Sequence, residues 1–124
     1  MRYAHENGIP FNYIGLLDAD TCLTDAYFER LIAAFEKDPR LGISNGGIYY
    51  EKNGNLEWIN DLEKDPVGTG RMWRKECFFE TGWHRVESSP DSISNIKAIL
   101  HGWKIQSYKE IIAIQKWPTS IFFQ

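Results

Sequence analysis

Cysteine is scarce in this 124-residue chain: the two present, Cys22 and Cys77, belong to no Cys-x-x-Cys or Cys/His metal pattern. A disulfide-stapled scaffold is excluded on that count, and a reduced, cytoplasmic setting is expected. No apolar run approaches the roughly 18 residues needed to span a bilayer. Met1 to Pro10 lacks the apolar stretch of a signal peptide. An excess of positive charge is also missing. The 14 Lys and Arg against 17 Asp and Glu leave a net charge of −3, which argues against a broad phosphate-binding surface and so against nucleic acid as a partner. His5, His84 and His101 lack metal-ligand spacing and read as structural or surface residues. Gly68-Thr69-Gly70 is not followed by the Lys-Ser/Thr of a phosphate loop. No Ser/His/Asp grouping supports nucleophilic catalysis, and there are no internal repeats or low-complexity segments.

What is present describes one globular domain over residues 1–124, with 43% hydrophobic and 25% charged residues and room for a modest core. Arg2 to Asn7 reads as the end of a helix stopped by Gly8 and Pro10. Tyr13, Ile14, Leu16 and Leu17 form a nearly continuous apolar run that suits a strand buried on both faces. Thr24 has the character of an N-cap. After it, Phe28, Leu31, Ile32 and Phe35 share one helical face, and Asp38-Pro39 ends the helix. Ile43 to Glu51 and Leu56 to Ile59 read as strands of a hairpin around Asn53-Gly54. Gly68-Thr69-Gly70 reads as a flexible loop. Met72 to Thr81 reads as a helix closed by Gly82. Ser89 is placed as the N-cap of a helix that begins at Pro90, has Ile93, Ile96 and Leu100 on one face and stops at Gly102. Lys104 to Gln115 reads as two short strands. Ile121, Phe122 and Phe123 are apolar without an evident partner, which leaves room for self-association through exposed apolar surface. The pattern predicts an α/β class with a mixed sheet flanked by helices.

Two constellations point to chemistry. Asp18-Ala19-Asp20 follows the first apolar strand at its C-terminal end, where open α/β sheets bind ligands. Two carboxylates this close repel unless a cation or a donor lies between them. Hard divalent ions such as Mg²⁺ or Mn²⁺ take such oxygen ligands and bridge to phosphates. The bland alternative is that Asp18 caps a turn and Asp20 is solvated. Asp91, in the first turn of the helix that starts at Pro90, is either a carboxylate favoured by the helix dipole or a general base. Arg71 and Arg74 read as solvated charges, with phosphate contact the sharper alternative. Among the tryptophans, Trp103 reads as core, while Trp83, just after a helix-ending glycine, is the one placed to stack on a sugar.

Three blocks in order resemble family 2 glycosyltransferases, which are inverting enzymes of the GT-A type. Tyr13 to Thr21, reading Tyr-Ile-Gly-Leu-Leu-Asp-Ala-Asp-Thr, resembles their DxD strand. Gly68 to Trp83 resembles their acceptor-side loop and helix. Pro90 to Lys104 resembles the segment carrying their catalytic aspartate. Together the blocks cover most of residues 10 to 116. The resemblance implies a partial GT-A fold and metal-assisted, inverting transfer of a sugar from a nucleotide-diphosphate donor to the hydroxyl of a carbohydrate or lipid-linked acceptor. It implies Asp18 and Asp20 as donor-binding residues, with Asp20 on the divalent ion, Asp18 nearer the sugar or ribose, and Asp91 as the base. It places Gly68, Thr69, Gly70 and Trp83 at the acceptor. Gln115 falls near the family's third metal ligand, usually a histidine; a glutamine resembles the dolichol-phosphate mannose synthase subgroup, and an exposed strand residue is the plain alternative. Where members often carry Glu-Asp at the base, Pro90 precedes Asp91 here. The family's nucleotide-holding strands would precede Met1, so a C-terminal catalytic portion is expected, with peripheral membrane association open. The rival expectations are an inactive binding remnant of such an enzyme and another Mg²⁺-dependent phosphoryl or nucleotidyl transferase.

Overall fold

The structure is a computed structural model, described for residues 11–17, 21–58, 66, 69–83 and 90–115. Over these residues the chain is α/β. Its strands are β1 (Tyr13–Leu16), β2 (Thr21–Leu23), β3 (Leu41–Lys52), β4 (Asn55–Trp58), β5 (Arg71–Arg74) and β6 (Lys104–Gln115). Its helices are α1 (Tyr27–Lys37), α2 (Lys75–Thr81) and α3 (Pro90–Leu100). The sheet runs β1-β5-β3-β6-β2, with β4 paired to β3. The β3–β6 pair is parallel and the others are antiparallel, so the sheet is mixed as expected.

Successive residues of a strand point to opposite faces, and two cores result. Met72 joins Tyr27, Leu31, Phe35, Leu41, Ile111 and Ala113 under α1. Its neighbour Trp73 joins Ile14, Ile43, Cys77 and Ala98 under α2 and α3. Helix α1 forms where its apolar spacing predicts, and Leu31 and Phe35 are fully buried. It stops where proline forbids a further helical residue, with Asp38 extended at φ −131°. The hairpin turn also follows the sequence. Asn53 and Gly54 take φ of 53° and 80°, the left-handed pair that matches strand twist.

Several expectations are corrected. β1 is a strand, but only Ile14 is buried and Leu17 is 48% exposed. It pairs with β5 alone among the described strands and so lies at a sheet edge. Thr24 does not cap α1: its hydroxyl donates to the Ile112 carbonyl at 2.8 Å, and Ala26, left-handed at φ 61°, holds the cap position without a side-chain bond. The segment read as one helix from Met72 begins as a strand, because residues 71–74 are claimed by pairing to β1 on one side and β3 on the other. Gly82 does close α2, at φ 67°. Lys104 to Gln115 is one strand rather than two. It bulges opposite Gly46–Gly47, where the register jumps from Tyr108 to Ile112.

The face assigned to α3 is also corrected. The helix buries Ser94, Asn95 and Ala98, while Ile96 and Leu100 are exposed. Buried donors take up its polar side chains. Trp73 Nε1 donates to Ser94 Oγ at 3.2 Å, and Asn95 is bonded on both ends of its amide. Trp103 is half-buried against the second core, its indole N–H donating to Glu80 at 2.6 Å. Cys77 is buried, Cys22 and His101 are exposed, and both cysteines are free. The N-terminal segment, Ser89, His5, His84 and residues 116–124 lie outside the described residues. No described helix is long and apolar enough to cross a membrane.

Tyr27 clasps the first core to the rest of the sheet. Its hydroxyl accepts from the Gly46 N–H at 2.8 Å and donates to the Gly70 carbonyl at 2.9 Å. Burial pushes this phenol up to about 12, with the Gly46 bond pulling the other way, so it stays a donor. Tyr27→Phe leaves a buried N–H and a carbonyl without that partner. It is expected to lower unfolding free energy by about 2 kcal/mol in a urea titration.

Candidate functional site

Two of the residues that the sequence singles out, Asp91 and Trp83, meet at the N-terminal end of α3. Asp91 lies in its first turn, as expected, and its side chain is 21% exposed. The Trp83 indole N–H donates to Asp91 Oδ1 at 2.7 Å. Trp83 itself is half-buried and meets Trp73 edge-on, with ring centroids 6.4 Å apart. So Trp83 reaches the candidate base through its polar edge, while its ring is anchored on a core tryptophan.

Arg71 comes from the opposite side. It opens β5 and is fully buried, contrary to the expectation of a solvated charge. A buried guanidinium must be surrounded by acceptors. Nη1 donates to the Pro66 carbonyl at 2.7 Å and Nη2 to Asn95 Oδ1 at 2.8 Å. Nε lies 3.7 Å from Asp91 Oδ1, and the guanidinium carbon sits 4.8 Å from the Trp73 ring centroid. Burial pulls this group down to about 10, while the Asp91 charge pushes it back up, so it is a cation at neutral pH. Arg74 is likewise tied in, its guanidinium donating to the carbonyls of Leu41, Phe35 and Asp38.

Asp18, Ala19 and Asp20 lie outside the described residues, as does Gly68. The residues on either side of the triplet are held firmly. Leu16 pairs with Arg71, and the Leu16 carbonyl accepts from the Gly70 N–H at 2.8 Å. Beyond the triplet, Thr21 pairs with Gln115, and the Thr21 hydroxyl donates to Thr69 Oγ1 at 3.1 Å. Thr69 is buried rather than part of a loose loop, and Gly70 turns the chain at φ 76°. A side chain at Gly70 would strike the Tyr27 hydroxyl. The topology therefore brings both flanks of the triplet, Thr69–Gly70, the backbone of Gln115 and, through Arg71, Asp91 to one region of the sheet.

Of the expected metal ligands, Asp18 and Asp20 lie outside the described residues, and Gln115 is described by its backbone. The Thr21–Gln115 register brings the strand end that follows Asp20 beside the residue expected as third ligand. Among the described residues no three His, Cys, Asp or Glu side chains cluster.

Asn95, Pro66 and the buried role of Arg71 escaped the sequence reading. The available signal was a Ser-Asn pair between Ile93 and Ile96 and an arginine directly before an apolar dipeptide. Their meaning depends on strand pairing, which periodicity does not report. No protein-family model matches this chain, and no curated protein is significantly similar to it.

Proposed function

We propose that the chain is the catalytic portion of an inverting, metal-assisted glycosyltransferase, and that its mixed α/β sheet is part of a GT-A fold. One observation carries the reading: Arg71 pairs through its backbone with Leu16, two residues before Asp18, and faces Asp91 through its side chain at 3.7 Å. A single residue thus ties the strand leading to the carboxylate pair to the lone acid on α3. A transferase needs that arrangement, with the donor diphosphate on one side of a cleft and the proton acceptor on the other.

In this reading Asp18 and Asp20 face the donor, with Asp20 and Gln115 as ligands of the ion. A bound Mg²⁺ or Mn²⁺ would neutralise charge on the departing diphosphate. Asp91 takes the proton of the acceptor hydroxyl as its oxygen attacks the anomeric carbon from the face opposite the leaving group, so the configuration inverts. The Trp83 N–H and the Arg71 guanidinium hold the Asp91 carboxylate in place. Trp83 also offers a ring edge beside the acceptor.

The reading is tested first by binding. The chain is expected to bind UDP or GDP in a Mn²⁺-dependent way in calorimetry, with Asp20→Ala weakening that binding about tenfold or more. No Mn²⁺-dependent binding in the wild type would favour the binding-remnant alternative. Release of inorganic phosphate or pyrophosphate without sugar transfer would favour a phosphoryl or nucleotidyl transferase.

A further inference from the structure

We propose that Arg71 is the positioning residue of the Asp91 carboxylate, with its Nε–H reserved for a hydrogen bond that closes when the cleft is loaded. The role of Asp91 rests on the glycosyl-transfer reading, but the geometry stands by itself. Among the described residues, Arg71 Nε is the one buried side-chain nitrogen without a hydrogen bond. An unmade bond from a buried cation is expensive, so a protein rarely leaves one without cause. Nη1 donates to Pro66, Nη2 donates to Asn95 and, at 3.4 Å, to the Asp91 backbone carbonyl, and the flat face lies over Trp73. The guanidinium therefore cannot swing, and its open N–H faces Asp91 Oδ1 at 3.7 Å. A carboxylate displacement of about 0.8 Å brings that gap to the usual length of a charge-assisted bond. Such bonds are often long in an empty site and tighten in the complex.

The electrostatics leave Asp91 as the partner. Among the described residues, the other titratable group acting on Arg71 is the Cys77 thiol of α2, which burial pushes up to about 12 and so keeps neutral. Trp83 approaches the same oxygen at 2.7 Å. Two rigid donors converging on Oδ1 fix the plane of the carboxylate against the substrate. Because Arg71 also begins β5 opposite Leu16, it sets the base relative to the strand that leads to Asp18.

The test combines kinetics of two variants with a signal from the unaltered chain. Arg71→Met and Arg71→Lys are expected to lower kcat for sugar transfer about a hundredfold, the cost of misplacing a catalytic group by about 1 Å. The KM for the donor should stay within about twofold, and Arg71→Lys should remain folded. A mainly structural arginine would instead be rescued by lysine, and wild-type kcat in folded Arg71→Lys overturns the proposal. If both variants unfold, the ¹⁵N–¹H signal of Arg71 Nε in labelled wild type decides. It should move downfield on saturation with UDP or GDP and Mg²⁺, and a stationary signal with nucleotide bound overturns the positioning role alone. A wild-type chain that transfers no sugar overturns the transferase reading, and the positioning role with it.

Discussion

Asp91→Asn is expected to lower the rate of sugar transfer about a thousandfold while nucleotide binding stays within about twofold of wild type. The substitution keeps shape and removes the ability to take a proton, and general base catalysis is worth roughly 10²–10⁴-fold. Its Oδ1 can still accept from the Trp83 indole, so the local packing survives. The charge does not, and the fully buried Arg71 loses the anion facing it. A loss of thermal stability should therefore accompany the loss of rate, because a buried cation deprived of its partner is costly. Rates must be compared at a temperature where both proteins are folded. Turnover close to wild type under that condition removes Asp91 from the mechanism. A parallel loss of nucleotide affinity would instead place it on the donor.

Gly46→Ala is expected to destabilise the chain by about 3 kcal/mol, far more than Gly54→Ala at roughly 1 kcal/mol. The two glycines look equally innocent in the sequence. At Gly54 the only penalty is the left-handed backbone, since nothing lies within 4 Å of an added methyl. At Gly46 the methyl would overlap the carbonyl oxygen of Ile111 and the ring of Tyr27. The carbonyl is backbone in the β6 bulge and cannot step aside. Relief requires β3 and β6 to separate where the register jumps from Tyr108 to Ile112. That movement also pulls Gly46 away from the Tyr27 hydroxyl, and with it the bond to Gly70 beside the candidate site. Denaturant titration compares the pair directly, and equal losses would show that the bulge is soft.

The parts of the fold written in local chemistry were legible. Pro39 ends α1, Asn53-Gly54 turns the hairpin, Gly82 and Gly102 close their helices, and Pro90 opens α3. Each acts through its own dihedral angles, so no distant partner is needed. Leu31 and Phe35 were legible as core because one apolar face packs against whatever lies beneath. In the candidate site, Asp91 was legible as a first-turn acid, and the strand that leads toward Asp18 was legible as β1.

What failed to read out depended on neighbours distant in sequence. Residues 72–74 have helical spacing with Cys77, but pairing to two strands makes them strand. Ile96 and Leu100 form a plausible apolar face, yet α3 turns Ser94 and Asn95 inward because a buried indole and a buried guanidinium wait there. Arg71 and Arg74 read as surface charges, and both are enclosed by carbonyl acceptors from other elements.

By itself, then, the order of residues determined the α/β class, the hairpin turn, the helix boundaries set by proline and glycine, and the chemical types available for a site. Tertiary structure alone decided which polar groups are buried and that Arg71 joins the strand before Asp18 to the acid at Asp91. The reason is physical: a backbone angle is a property of one residue and its neighbours, whereas burying a charge is decided by the partners that folding brings within about 3 Å.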